Sequence, residues 1–261
     1  MRHGLLVLLA ASLLVPPSGS ASAPAGPTLP WELVDCTYLI AFASVDRDRV
    51  IPHLPAGFAA AGAPTTVGPL TLPSVVNVGF EVDVCAQGTG VSGLLPDMQY
   101  ASFWVAVDAP PAWQVEGINQ NFVNWDVLVP DAERRALMQA AGLPARDGAI
   151  ALTVTPTPLG ETLWEASWTL DGLGTFRAEA VAMPGPGGPF DTWFVQYTEA
   201  SDGDLARWRT NYVSDDSRRG FGVLDADPGS WLGQMLPAPS VPITALMGHW
   251  SYLHGLLELP A

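Results

Sequence analysis

Lysine is absent from this 261-residue sequence, and its eleven cationic side chains are all arginines. An arginine guanidinium stays protonated and is a poor nucleophile, so arginine cannot replace a lysine amine in covalent catalysis. The sequence therefore excludes every mechanism in which a lysine of this chain attacks a carbonyl carbon.

Positive charge is also scarce overall, because 26 acidic residues outnumber 11 basic ones and the formal net charge is −15. Nucleic acids and anionic membrane surfaces are bound by basic protein faces. We therefore expect neither of them as a partner. Beyond the N-terminus, no apolar run reaches the roughly 20 residues that a membrane-spanning helix needs.

The N-terminus has the three parts of a secretory signal peptide. Arg2 and His3 are basic, residues 5–15 are apolar, and residues 16–25 are small and offer several cleavage points. The apolar part has only about eleven residues, which is too short to span a bilayer as a mature helix. We expect it to direct export.

We divide the chain accordingly into a signal peptide over residues 1–25, a flexible start over 26–33 and one domain over 34–261. One domain is favoured because the predicted segments follow one another at short intervals without a long linker. The mature protein is expected to be secreted or periplasmic.

Cysteine occurs only twice, as Cys36 and Cys85, each within a predicted strand. An oxidising compartment favours a disulfide between them, and the enclosed loop of about 48 residues makes the bond worth roughly 3–4 kcal/mol. The alternative is two separate buried thiols. The spacing does not resemble a metal site, and we predict no metal and no cofactor.

Alternating apolar residues predict about ten strands, and only three short helices interrupt them. The order of elements has no repeated strand–helix–strand unit of a parallel sheet. We predict a mostly β fold with short helices (α+β), built as an antiparallel sheet or closed barrel. The clearest predicted strands are residues 34–45, 74–85, 100–107, 149–155, 161–170, 173–183, 192–198, 207–212 and 243–259.

The best-defined helix begins near Pro130-Asp131 and ends before Gly142, with Pro144 beyond it. A tight Gly-Leu-Pro-Ala connection then leads into the strand at 149–155. Residues 87–97 are rich in glycine and predict a loop. That loop has neither the sequence nor the setting of a phosphate-binding loop.

Two groups of charged residues are candidates for a binding site. On the strand at 74–85, Glu81 lies opposite a row of valines. Arg177 and Glu179 lie on one face of a later strand, two residues apart. If that face is exposed, they form a weak ion pair, and if it lines a barrel, they orient a ligand's carboxylate or carbonyl group. The pattern leaves both interpretations open.

A polar and aromatic stretch at 113–129 is the third candidate, with Asn121 and Trp125 at the rim of a pocket. Core packing is the alternative for most of the ten tryptophans. No serine-hydrolase elbow and no HExxH motif is present. His249 and His254 are five residues apart on a predicted strand and fall on opposite faces, which makes them a poor metal pair.

Several short segments resemble the acetoacetate decarboxylase-like family. They are Tyr38-Leu39-Ile40, the residues 45–50, the Leu-Pro-Ala-Gly-Phe run at 54–58 and the Gly-Leu-Pro-Ala turn at 142–145. The resemblance implies an antiparallel β-barrel or cone around a small-molecule pocket, often in a homo-oligomer. It also implies that Glu81 is the pocket glutamate.

The resemblance fails at one position. In decarboxylating members, the lysine of the segment that matches 142–145 forms a Schiff base with a β-keto acid. Ala145 holds that position here, followed by Arg146. We therefore predict an exported barrel that binds a small apolar or carbonyl-containing molecule without Schiff-base decarboxylase activity. The alternative is a lysine-independent lyase, isomerase or hydrolase that uses carboxylates and Arg177.

Overall fold

The computed structural model describes residues 28–62, 65–67, 70–72, 75–90, 93–170, 174–199 and 203–259. The expected signal peptide lies outside these residues. The helices are α1 (Arg47–Val50), α2 (Ala132–Ala140) and α3 (Trp231–Met235), with a 3-10 turn at Ile51–His53. The strands are β1 (Thr28–Asp46), β2 (Ala59–Ala60), β3 (Thr65–Val67), β4 (Leu70–Leu72), β5 (Val75–Gly90), β6 (Gly93–Asp108), β7 (Asn121–Leu128), β8 (Ala145–Arg146), β9 (Gly148–Pro156), β10 (Thr162–Leu170), β11 (Gly174–Ala182), β12 (Gly188–Glu199), β13 (Leu205–Ala226) and β14 (Ser240–Glu258).

Seven strands close into a ring in the order β7, β6, β5, β1, β14, β13 and β12. All neighbours in the ring are antiparallel except β12 and β7, whose parallel pairing closes it. The long strand β13 pairs with β12 through its first half and with β11 through its second half. Strands β11, β10 and β9 therefore continue the sheet outside the ring. This mostly antiparallel, ring-like sheet confirms the predicted mostly β fold with short helices.

The ring strands bury both of their faces. The inner core, inside the ring, includes Tyr38, Tyr100, Trp208 and Trp250. The outer core, on the other face of the same strands, is covered by β10 and β11 and includes the side chains Phe80, Val82, Phe103, Trp168 and Phe176. Alternate residues of one strand therefore enter different cores.

Helix α2 forms where its sequence signals predict it. The Asp131 side chain accepts a hydrogen bond from the Arg134 backbone nitrogen (2.9 Å) and caps the helix. At the other end, Gly142 adopts a φ of 80°, and the Leu143 nitrogen donates to the Met138 carbonyl. A left-handed glycine at this point is the usual way to satisfy the last carbonyls of a helix.

Two boundaries differ from the sequence-based expectation. Strand β1 already begins at Thr28, and residues 28–33, expected to form a flexible start, pair with β14. The glycine-rich loop predicted at 87–97 is mostly strand, since β5 runs to Gly90 and β6 begins at Gly93. Glycine hides this strand from the alternation pattern because larger neighbours occupy its side-chain space: a Cβ on Gly88 would lie 2.6 Å from Met98.

Cys36 and Cys85 face each other in the register of β1 and β5, and a disulfide joins them. The predicted pairing is confirmed, and the bond lies within the inner core. Among the helices of the described residues, none combines the length and the apolar character needed to cross a membrane.

Candidate active site

The inner face of β5 carries a row of four alternate residues, Gly79, Glu81, Asp83 and Cys85. The two carboxyl side chains are almost completely buried, with Glu81 exposed by 2% and Asp83 by 0%. Charged side chains are seldom buried to this degree unless they are paired. These two are therefore the most unusual groups inside the ring.

Glu81 lines a cavity of about 140 Å³ inside the ring. The walls of the cavity are mainly aromatic and come from all seven ring strands and the residue before β7. The aromatic members are Phe42, Trp104, Phe122, Phe190, Phe194, Tyr212 and Trp250, and the others are Ile40, Gln120, Gln196 and Leu246. An apolar cavity with a few polar groups aimed into it is the usual form of a small-molecule site.

One oxygen of Glu81 is held by two donors from β6. The Ser102 hydroxyl and the Trp104 indole nitrogen each donate to Oε2 over 3.2 Å. Gly79 makes the second contact possible, because a Cβ there would lie 2.3 Å from the Trp104 ring. The missing side chain lets the indole lie across β5 and reach the carboxyl group two residues further on.

Asp83 lies deeper and is fixed by Trp250, whose indole nitrogen donates to Oδ1 over 3.1 Å. Burial raises the pKa of Asp83 well above its ordinary value, and the charge of Glu81 raises it further. Burial also raises the pKa of Glu81, while hydrogen bonds from Trp104 and Ser102 oppose that rise. We infer that Asp83 holds a proton more firmly than Glu81 does.

The second oxygen of each carboxyl is not satisfied by an ordinary donor. Glu81 Oε1 and Asp83 Oδ2 are buried and have no hydrogen-bond partner of good geometry. Tyr212 and Asp83 are close enough to hydrogen bond to Glu81 and lower its pKa, by less than Trp104 and Ser102 do. Two ionised carboxylates are both acceptors, so they can hydrogen bond to each other only when one is protonated.

Beside the cavity lies a more open depression of about 630 Å³, which shares Phe42, Phe190 and Leu246 with it. Ser217 and Arg219 lie on this depression. The Ser217 hydroxyl is 2.6 Å from the hydroxyl of Tyr38, whose ring stacks on Trp250. The depression thus adjoins the cavity on one side.

Of the sequence-predicted site residues, only Glu81 lines this cavity. Arg177 and Glu179 form an ion pair on the outward face of β11, and their side chains are 53% and 43% exposed. Arg177 also bonds Glu165 on β10. This arrangement matches the exposed ion pair that the sequence left open, and it does not bring Arg177 together with Glu81.

Asn121 and Trp125 lie outside the ring cavity as well. The Asn121 side chain accepts a hydrogen bond from Tyr197 (2.9 Å) beside a polar depression at 114–121. The Trp125 indole donates to the His53 carbonyl (2.8 Å) and packs edge-on against Trp231. A binding role for either residue stays a prediction.

No protein-family model and no curated protein sequence matches the chain. Among solved structures, the enduracididine biosynthesis enzyme MppR matches in its complex with the condensation product of pyruvate and imidazole 4-carboxaldehyde. The two chains are 15% identical with a TM-score of 0.57, over 98% of this chain and 97% of that one. The pyruvate complex of MppR gives the same identity and TM-score over 96% and 95%. An acetoacetate decarboxylase-like enzyme from Sphingomonas wittichii RW1 is 13% identical, with a TM-score of 0.47 over 95% and 96%.

The chain has an acetoacetate decarboxylase-like fold. The similarity to MppR extends over nearly the whole of both chains, and at 15% identity it concerns the fold alone. It confirms the fold that the short sequence segments implied. It leaves the chemistry of this chain to be argued from its own residues.

Within this acetoacetate decarboxylase-like fold, Ala145 lies in line with Glu81. The register pairs Glu81 with Ser102, Ser102 with Val127, and Val127 with Ala145. Ala145 is buried in the inner core. A methyl group therefore lies on the inner face, three strands from Glu81, where the resemblance to the family expects an amine.

Most of the residues that line the cavity have no signal in the sequence. Trp104, Gln196, Tyr212 and Trp250 line it but come from four different strands. No local pattern distinguishes them from core residues. Asp83 could have been predicted, because it follows Glu81 by two residues and therefore shares its polar face on a clearly alternating strand. Among the described residues, no group of three or more His, Cys, Asp or Glu side chains is placed to hold a metal ion.

Proposed function

We propose that the ring encloses a binding site for a small apolar or carbonyl-containing molecule and that the protein has no Schiff-base decarboxylase activity. The observation that carries the proposal is the buried Glu81 carboxyl, which faces an aromatic cavity with one oxygen lacking a good partner. Buried polar groups without partners are costly, so they are uncommon outside sites that bind something.

The cavity lining supports the chemical class of the ligand. Aromatic rings on most sides favour an apolar body of modest size. The Tyr212 hydroxyl and the Gln196 amide are donors that a carbonyl oxygen can use. A fold relative, MppR, has been crystallised with pyruvate and with a condensation product of pyruvate. These complexes support a small-molecule site in this fold.

The side chains support the proposed absence of Schiff-base chemistry. The sequence has no lysine, and the position that matches the family's lysine is Ala145. The adjacent Arg146 does not compensate, because it forms an ion pair with Asp126 and its guanidinium cannot act as an amine.

Export remains part of the proposal. Its support is the signal-like composition of residues 1–25 together with the disulfide, since such bonds persist in oxidising compartments. A homo-oligomer is a prediction from the family resemblance, and light scattering of the purified protein would decide it.

A lysine-independent enzyme is the second candidate, and the Glu81–Asp83 pair favours it. Two carboxyls with raised pKa values, one of them facing a cavity, suit general acid–base catalysis. Arg177 would not take part, because it lies on the outward face of β11. A lyase, isomerase or hydrolase of this kind would depend on Glu81.

The first experiment combines native mass spectrometry of the purified protein with borohydride trapping in the presence of acetoacetate or pyruvate. We expect a bound small molecule that the Glu81→Gln variant retains less well, and no covalent adduct. An adduct on the wild-type chain would overturn the negative claim. A protein that never carries or takes up a small molecule would overturn the binding claim. Turnover of a keto acid lost in Glu81→Gln would favour the enzyme.

A further inference from the structure

The cavity inside the ring has an acidic group in its wall and no protein cation beside it. Glu81 lines the cavity, and Asp83 is buried two residues further along the same face of β5. None of the residues that line the cavity is an arginine, and the sequence contains no lysine. A buried carboxylate is costly unless an opposite charge or several hydrogen bonds compensate it. Without such compensation burial favours the neutral form of Glu81, and an occupant that carries positive charge would stabilise the ionised form.

The hydrogen bonds around Glu81 are incomplete in one direction. Its Oε2 atom accepts from Ser102 and Trp104, whereas its buried Oε1 atom has no hydrogen bond of good geometry, and the only further donors near Glu81 are the Tyr212 hydroxyl and the protonated Asp83 carboxyl. An N–H group of a bound molecule would add a donor to the ionised carboxylate. Charge-assisted hydrogen bonds of an ammonium group to a carboxylate are among the stronger ones in proteins.

The aromatic walls of the cavity also favour a positively charged ligand. Trp104 and Phe122 pack with ring centroids 4.4 Å apart, and Phe194 lies 5.0 Å from Tyr212. Aromatic faces carry partial negative charge and attract cations, most strongly where water is excluded. The same rings accept the alkyl part of a ligand. A bound anion would be repelled by these aromatic faces and by the carboxyl pair.

We propose that the cavity binds a small organic ammonium ion, with an N–H group toward Glu81 Oε1 and its alkyl part against the aromatic rings. This inference rests on the proposed small-molecule site and adds the charge class of the ligand. It also predicts discrimination against keto-acid anions such as pyruvate, because a ligand carboxylate would lie beside Glu81.

The surroundings of the cavity agree with this charge class. Arg219 lies on the neighbouring open depression, exposed to solvent, and not on the cavity wall. Asp216 and Arg218 pair with each other on the same strand, β13. The net charge of −15 further attracts cations over long range.

The test uses three molecules with the same carbon skeleton and different charge: 3-methylbutylammonium, 3-methylbutan-1-ol and 3-methylbutanoate. Isothermal titration at pH 7 and constant ionic strength gives their affinities for the full mature protein. We expect the ammonium ion to bind at least about tenfold more tightly than the alcohol and the carboxylate to bind more weakly than both.

Two variants test whether the preference for the ammonium ion depends on Glu81. In Glu81→Gln the ratio between the ammonium ion and the alcohol should fall toward one, while Glu133→Gln, an exposed carboxyl on α2, should keep it. Equal binding of ammonium ion and alcohol, or a preference that survives in Glu81→Gln, would overturn the inference and leave the small-molecule site standing. Failure of all three to bind the wild type would also overturn the inference. Combined with the absence of any co-purified molecule, it would contradict the proposed function itself.

Discussion

The two faces of strand β5 differ although they come from the same run of residues. The outward face, with Phe80 and Val82, packs into the outer core against β6, β10 and β11. The inward face carries Gly79, Glu81 and Asp83, and Glu81 lines the cavity of the ring. Both faces are buried, so burial alone does not distinguish a core from a site. The difference is in chemistry: one face has only apolar contacts, and the other has carboxyls with incomplete hydrogen bonding.

The comparison predicts that the outer core contributes strongly to stability. Phe103 is fully buried there, with ring centroids 5.4 Å from Phe80 and 5.2 Å from Phe176. Phe103→Ala should lower the free energy of unfolding by about 3–5 kcal/mol, because it leaves a cavity between packed rings. Urea denaturation measures this. Phe221→Ala, at a side chain 59% exposed, is the control and should change stability by less than about 0.5 kcal/mol. Similar losses in both variants would show that Phe103 contributes no more to stability than an exposed side chain does.

The disulfide, on the inner face of the ring strands, should have the next largest effect on the free energy of unfolding. The double substitution Cys36→Ala and Cys85→Ala should cost about 2–4 kcal/mol, since it removes a cross-link between residues 49 positions apart. Urea denaturation of the wild type with and without reductant should reproduce this loss. If reduction leaves the urea midpoint unchanged, the bond does not stabilise the fold.

Gly79 should be the most sensitive glycine of the site. In Gly79→Ala the new methyl group would displace the Trp104 indole from Glu81, and we expect a loss of about 1–3 kcal/mol from overpacking. Ligand affinity of the cavity should fall as well. Gly188→Ala is the matched control, because no atom lies within 4 Å of its Cβ position. Equal stability and affinity in the Gly79→Ala variant and the wild type would show that Trp104 does not need the glycine.

The carboxyl pair should make stability depend on pH. Because burial raises the pKa of Asp83 above its ordinary value of 3.8, the folded state binds a proton more firmly than the unfolded state. Stability from this group is present below pH 3.8 and is lost as pH rises through the folded pKa. Asp83→Asn imitates the protonated form and keeps an oxygen for Trp250.

We therefore expect Asp83→Asn to be more stable than the wild type at pH 8, with an advantage that shrinks as the pH falls toward 4. Thermal unfolding across this range measures it. A stability advantage of Asp83→Asn that is largest at low pH would have the opposite pH dependence and would contradict a raised pKa for Asp83. The conservative variant also separates charge from packing, because its shape is nearly unchanged.

The smallest effect is expected at Arg177. Its ion pairs with Glu165 and Glu179 lie on an exposed face, where solvent and salt screen them. Arg177→Gln should leave the midpoint of urea unfolding and the affinity of the ring cavity unchanged. A clear loss of binding in this variant would place Arg177 in a site and revive the interpretation that its strand face lines a lumen.

Much of the fold could be predicted because its signals are local. The cap at Asp131, the glycine after α2 and the alternation in β5 depend on neighbours within a few residues, and the structure has all three. The strand ends around Gly88 and Gly90 could not be predicted in this way. Their side-chain space is filled by Met98 and Leu95, and this packing is invisible to a pattern that counts apolar residues.

The candidate site was only partly predictable, for a related reason. Glu81 is conspicuous as an acid on a strand with a row of valines. Arg177 and Glu179 have a similar pattern, yet they lie on the outside because β11 continues the sheet beyond the ring. An alternation with period 2 predicts which residues share one face of a strand, but it does not predict what that face packs against.

The sequence by itself determined that no lysine chemistry is available, that the two cysteines could pair and that the chain is mostly β. Only the tertiary structure decided which face of β5 is the site. Closure of the ring brings Trp250 to Asp83, residues 167 positions apart, and places Tyr212 on the same cavity. These contacts depend on the register and closure of seven strands, which are long-range properties. The alternation within any one strand is equally compatible with other closures.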